Sequence, residues 1–115
     1  MTYQVIIIPN ALLEIAKAYR WISSNIDERT AIDWYDSLMT AISSLQNFPK
    51  RCPLAPEAKD LEQEIRQLLV GKKRKTLYRV LFQVEADTVY VLYVRHSRRP
   101  RLNAKDVNDE NEEAD

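Results

Sequence analysis

One histidine and a dense set of cations carry the chemistry this sequence can offer. Arg66, Arg79, Arg95, His96 and Arg98 fall in a stretch from Glu64 to Arg99, and Lys72, Lys73, Arg74 and Lys75 form an unbroken cationic run inside it. Arg and Lys grip phosphates and can stabilise negative charge that grows in a transition state. Histidine is the side chain that most readily exchanges a proton near neutral pH. Such a set suits RNA cleavage by the substrate's own 2′-hydroxyl, which needs positioning, proton transfer and positive charge but no metal. His96 with Arg66, Arg79, Arg95 and Arg98 could supply these. On composition alone, a lone histidine at a strand end reads more readily as a surface or interface residue.

Other chemistries are poorly served. The single glycine, Gly71, cannot build a glycine-rich phosphate loop. One cysteine and one histidine cannot make a zinc site. Nothing resembles a nucleophile elbow. A metal-dependent nuclease wants clustered carboxylates, and the cationic stretch offers only Glu64, Glu85 and Asp87. No metal and no cofactor is expected, and any enzyme here would be a metal-independent endoribonuclease.

The chain has 115 residues, enough for one core and one domain. Cys52 is the only cysteine, so no intrachain disulfide forms. No apolar run approaches the roughly 20 residues of a membrane helix, and VIII at 5–8 is too short for a signal peptide. The expected location is cytoplasmic, with no membrane partner.

A net charge of zero hides an uneven distribution. Residues 66–101 carry ten cations against Glu85 and Asp87. Residues 102–115 carry Lys105 against six anions. The split suggests a surface that faces a polyanion or an acidic partner, followed by an acidic tail. The tail lacks aromatics and periodicity, the composition of a disordered segment. Two units are therefore expected: a folded domain over 1–101 and the tail over 102–115. Strand-edge cations that merely keep a sheet soluble are the alternative.

These residues need a sheet to position them. TLYRVLFQV and TVYVLYVRH are rich in β-branched and aromatic side chains, and Glu85-Ala86-Asp87 suits a tight hairpin. The patterns predict strands over 3–8, 64–70, 77–85 and 88–96. Helices are predicted over 10–24 and 28–47. The first has Asn10 as its cap and a stripe of Leu12, Ile15, Ala16, Tyr19 and Ile22. Asp27 opens the second, whose stripe is Ala31, Tyr35, Leu38, Ile42 and Leu45. Trp21 and Trp34 are both expected in the core or the helix seam. The order β-α-α-β-β-β implies an α+β fold, two N-terminal helices packed on a twisted, mostly antiparallel four-stranded sheet.

The order and spacing of three segments resemble the RelE/ParE superfamily of toxins from type II toxin–antitoxin modules, often called plasmid stabilisation proteins. The segments are YQVIIIPNALLEIAKAYRWI, AIDWYDSLMTAISSLQNFP and IRQLLVGKKRKTLYRVLFQVEADTVYVLYVRHSRR. The likeness spans about residues 3–99. It implies a cognate antitoxin that wraps and neutralises the toxin, in a toxin–antitoxin hetero-oligomer or beside a homodimer. RelE-like members cut mRNA on the ribosome through basic and His or Tyr residues, whereas ParE-like members inhibit DNA gyrase and lack that set. By position, Arg79 matches the arginine after the middle-strand tyrosine, and Lys72 and its neighbours match lysines before that strand. His96 with Arg98 or Arg99 matches a closing His and Arg. RNA or target binding would then fall to Lys72, Lys73, Arg74, Lys75, Arg95 and Arg99, and catalysis to His96, Arg79, Arg66 and Arg98. Many RelE-like nucleases have a tyrosine shortly beyond that point, and this chain has no aromatic after Tyr93. The departure favours a ParE-like gyrase inhibitor. A RelE-like ribosome-dependent mRNA nuclease and a non-toxic binding module on the same fold are the alternatives.

Overall fold

A computed structural model describes residues 2–102. The chain opens with β1 (Gln4–Ile7), which ends where Pro9 starts α1 (Pro9–Asn25). Proline has a fixed φ and no N–H to satisfy, so it suits a first helical position. The helix therefore begins before Asn10. Its N-cap is Ile8, in extended conformation and without a side-chain cap, not the expected Asn10. The next helix is α2 (Glu28–Ser43), capped as expected by Asp27, whose Oδ1 accepts the Thr30 N–H at 2.6 Å. The anion sits where the helix dipole favours it, and that bond holds the Asp27 carboxyl below its ordinary range.

After α2 the chain tightens into a 3-10 turn over Ser44–Gln46, so the regular helix is shorter than the expected 28–47. Phe48 then adopts a left-handed backbone (φ 48°, ψ 55°) before Pro49. Arg51 fixes this turn by donating to the carbonyls of Asn47 (2.6 Å) and Phe48 (3.1 Å) and to Ser44 Oγ (2.9 Å). An irregular crossover leads through the short helix α3 (Glu57–Asp60) to β2 (Arg66–Val70), β3 (Tyr78–Glu85) and β4 (Thr88–His96). Ala86 takes a positive φ in the two-residue β3–β4 turn.

The sheet order is β1-β4-β3-β2. β2, β3 and β4 are antiparallel, and β1 joins β4 in parallel. Strand pairing shifts between Leu81 and Phe82, so Leu81 faces Tyr93 while Phe82 faces Val91. Both helices pack on one sheet face. Ala11, Ile15, Ala18 and Ile22 of α1 and Ala31, Trp34, Leu38 and Ile42 of α2 meet Val80, Phe82, Val89 and Val91 there. Each Val, Leu, Ile or Phe among them taken wholly out of water contributes roughly 1.5–3 kcal/mol. The opposite face carries a smaller cluster of Ala55, Ile65, Leu81, Tyr93 and Leu102.

The helix stripes differ from the expected ones by one position. The small side chains Ala11 and Ala18 face the sheet and let α1 sit close, which turns Leu12 out into solvent. Tyr35 is likewise exposed, and its ring meets Tyr19 edge-on at 6.2 Å on the helix pair. The two tryptophans part company: Trp34 is 4% exposed and Trp21 is 48% exposed. Leu102, the first residue of the expected acidic tail, is buried. The rest of that tail lies outside the described residues. Among those described, no helix is long and apolar enough to cross a membrane.

Candidate functional site

Alternation along β3 and β4 separates the candidate residues onto two faces. Tyr78 and His96 are directly paired and lie toward the helices, whereas Arg79 and Arg95, also directly paired, lie toward the smaller cluster. Two cations facing each other across strands repel. Glu57 offsets this. Its fully buried carboxylate accepts both Arg79 terminal nitrogens, at 2.9 and 2.5 Å, and the Leu102 N–H at 3.1 Å. Burial alone would raise the Glu57 carboxyl, but the Arg79 guanidinium and the backbone amides outweigh it and hold it below its usual value. Arg79 Nε completes its set on Gln67 Oε1 at 3.1 Å. Arg95 donates to the Pro100 carbonyl at 3.1 Å.

Arg66 is also engaged within the fold. Its guanidinium donates to the carbonyls of Cys52 (2.7 Å) and Lys50 (3.3 Å) and pairs with Glu64 at 2.8 Å. It thereby ties the crossover to the outer sheet edge. Cys52 beneath it is buried, and burial pushes its thiol up.

His96 closes the top of the sheet. Nε2 lies 3.0 Å from the Lys75 carbonyl, which can only accept, and Nδ1 lies 3.1 Å from the Arg98 N–H, which can only donate. These partners match the tautomer that donates from Nε2 and accepts at Nδ1. Its ring also stacks edge-on to Tyr78 at 5.1 Å, and Tyr78 in turn meets Trp34 at 5.0 Å. Burial pushes the Tyr78 hydroxyl up. With both nitrogens occupied, His96 works as a clamp between the β2–β3 loop and the segment after β4. The Ser97 N–H adds a second tie, to the Leu77 carbonyl at 2.8 Å.

That clamp brings Lys72, Lys73, Arg74 and Lys75 beside Arg98 and Arg99, all exposed. The loop closes through Gly71 at φ 129°, a conformation that favours glycine. Of the ten residues expected to catalyse or bind, these six form one cationic surface, and Arg66, Arg79 and Arg95 lie elsewhere. His96 joins the two halves. No group of three or more His, Cys, Asp or Glu side chains that could hold a metal occurs among the described residues.

A groove of about 480 Å³ adjoins His96. β1 accompanies β4 only as far as Val91, so the last residues of β4 have no strand on that side. Glu14 of α1 reaches down instead and accepts the Val94 N–H at 2.9 Å. Leu13, Lys17 and Trp21 of α1 line the opposite wall, with Arg99 at one end. Leu13 and Trp21 are both exposed. Sequence reading missed this wall. The signal was present, since Leu13, Lys17 and Trp21 recur every four residues and share a helix face. Glu57 was missed too, because 22 residues separate it from Arg79.

No match was found among curated proteins. Among solved structures, one described as the chromosomal ParDE TA system from P. aeruginosa superposes with a TM-score of 0.67 at 14% identity, covering 83% of this chain and 96% of that one. That likeness carries the fold. Residues 5–101 match the family model of the ParE toxin of the type II toxin-antitoxin system, parDE. This span covers both helices, all but the first residue of the sheet, the His96 clamp and the cationic surface, and a family of toxins paired with antitoxins implies an antitoxin partner. The chain belongs to the ParE toxin family of type II toxin–antitoxin systems.

Proposed function

We propose that this protein is the toxin of such a pair, that it acts by inhibiting DNA gyrase, and that its antitoxin neutralises it by occupying the groove between α1 and the open end of β4. One observation carries the choice of gyrase over RNA: both ring nitrogens of His96 are engaged by backbone, and Arg79 and Arg66 are tied within the fold. A general base for 2′-hydroxyl attack must reach its proton, and the histidine here is spent on holding two loops together. The antitoxin reading rests on the exposed Leu13 and Trp21 beside the end of β4 that β1 does not reach. An extended or helical peptide can fill such a groove. Gyrase and its DNA would place the toxin in the cytoplasm.

The test is induced expression of the full chain, with and without its antitoxin. Growth arrest with a DNA-damage response, and loss of supercoiling by purified gyrase, are expected. Cleavage of mRNA in a translating extract, with supercoiling untouched, would overturn the gyrase reading. The groove is tested by Trp21→Glu, which should weaken antitoxin binding. Unchanged affinity would remove the antitoxin from that site.

A further inference from the structure

We propose that the cationic surface built from the β2–β3 loop and the segment after β4 is a binding site for the phosphate backbone of duplex DNA. Six exposed cations, Lys72, Lys73, Arg74, Lys75, Arg98 and Arg99, lie on two segments that are far apart in sequence. The bonds from His96 to Lys75 and from Ser97 to Leu77 fix those segments side by side. Within the loop, the Thr76 N–H returns to the Lys73 carbonyl at 3.0 Å. None of the six side chains makes a hydrogen bond or ion pair with another described residue. The charge of Lys73 reaches Asp27 at the helical hairpin, where it favours the carboxylate. The surface is therefore held open to a polyanion by the fold.

Two features favour duplex nucleic acid over its competitors. A stable protein interface wants an apolar centre; the two segments that carry the six cations expose no large hydrophobic side chain, and the exposed Leu13 and Trp21 belong to the α1 groove at its border. Single strands are gripped by stacking bases on aromatic rings; Tyr78 and Tyr93 are buried, and the exposed Trp21 lies in the α1 groove that only Arg99 of the six cations reaches. What remains is charge displayed on a fixed frame. That suffices for a duplex backbone, where phosphate contacts supply sequence-independent affinity. The inference stands apart from the gyrase reading: a toxin could inhibit gyrase without touching DNA, or touch DNA without inhibiting gyrase.

The experiment is fluorescence anisotropy of the purified full chain with a labelled duplex of arbitrary sequence, without gyrase or antitoxin. Six phosphate contacts give a log–log salt slope of about −5, so affinity should fall roughly a thousandfold between about 50 and 200 mM salt. Replacing Lys72, Lys73, Arg74 and Lys75 together by Gln leaves two contacts and a slope of about −2, so the same salt change should cost only about tenfold. Arg98→Gln with Arg99→Gln should leave a slope of about −4. All six positions are exposed, and a matching thermal transition confirms each variant is folded. The proposal is overturned by absence of binding at the lowest salt, or by a slope that these substitutions leave unchanged. Tighter binding of a single strand, or of an acidic peptide of equal charge, would overturn it as well.

Discussion

Removing Glu57 should be among the most damaging single changes this fold can suffer. Glu57 is fully buried and meets Arg79 through two parallel bonds, with the Leu102 N–H as a third donor. Glu57→Ala leaves a buried guanidinium without its partner, facing Arg95 across the strand pair. Breaking one side of a buried pair costs about 3–5 kcal/mol, out of a total stability of about 5–15 kcal/mol. For a domain of this size each kcal/mol moves Tm by about 4–8 °C, so a fall of at least about 12 °C is expected. Arg79→Lys should not rescue the site, because an ammonium cannot make the two parallel bonds. Replacing both partners, with Glu57→Leu and Arg79→Met, should recover most of the loss, because apolar residues of similar volume are often neutral or better than a buried pair. The measurement is urea or thermal unfolding of Glu57→Ala, and of Glu57→Leu, Arg79→Met and the two combined as a cycle. A cost for Glu57→Ala below about 1 kcal/mol, or a coupling below about 0.5 kcal/mol across the cycle, would refute the assignment of Arg79 to the scaffold.

Stability should fall in acid through the same carboxylate. The folded Glu57 value lies below its ordinary 4.5, so its contribution is present above that pH and is lost as pH drops through the folded value; Glu57→Gln should flatten this part of a pH–stability curve measured by urea midpoints. Gly71→Ala should cost at least about 1 kcal/mol, because φ is 129° and the new methyl group would run into the Thr76 carbonyl and approach Leu77 Cα at 3.0 Å. In anisotropy, a weaker hold on DNA with an unchanged salt slope would accompany it. Phe48→Gly should raise stability by up to about 1 kcal/mol in a thermal melt, since it relieves a left-handed residue whose ring, 81% exposed, packs little.

The strands were plain in the sequence because TVYVLYVRH and TLYRVLFQV combine β-branched residues, aromatics and a short turn. The Asp27 cap was legible because Asp-Glu before an apolar stripe has a local cause. Asn10 misled for a local reason as well: Pro9 moved the helix start forward. The phase of α1 was harder, since Leu12 and Ala11 both fit a helical stripe and only the closeness of the sheet chooses the smaller one. Nothing local distinguishes Trp21 from Trp34. The cationic surface was visible as charge, but its division was not. Whether an arginine in a strand faces solvent or Glu57 depends on which crossover residue lies beneath it, and that is decided by tertiary packing. His96 was found for its proton chemistry, and its two backbone partners could be seen only in three dimensions.

The parallel pairing of β1 with β4 bears on how the toxin comes into being. Gln4 lies opposite Thr88, so the second strand of the pair arrives 84 residues after the first. β4 is the last strand among the described residues, yet it sits inside the sheet and holds β1 on one edge and β3 on the other. Contacts of such long sequence separation close late and slow folding. During synthesis, the helical hairpin can form early, but β1 has no strand to join until β4 has left the ribosome tunnel. The His96 clamp and the groove beside Val94 both belong to that final strand. A chain that has emerged only as far as β3 therefore has neither, so the cationic surface that His96 holds together and the groove proposed for the antitoxin take shape together once β4 joins the sheet.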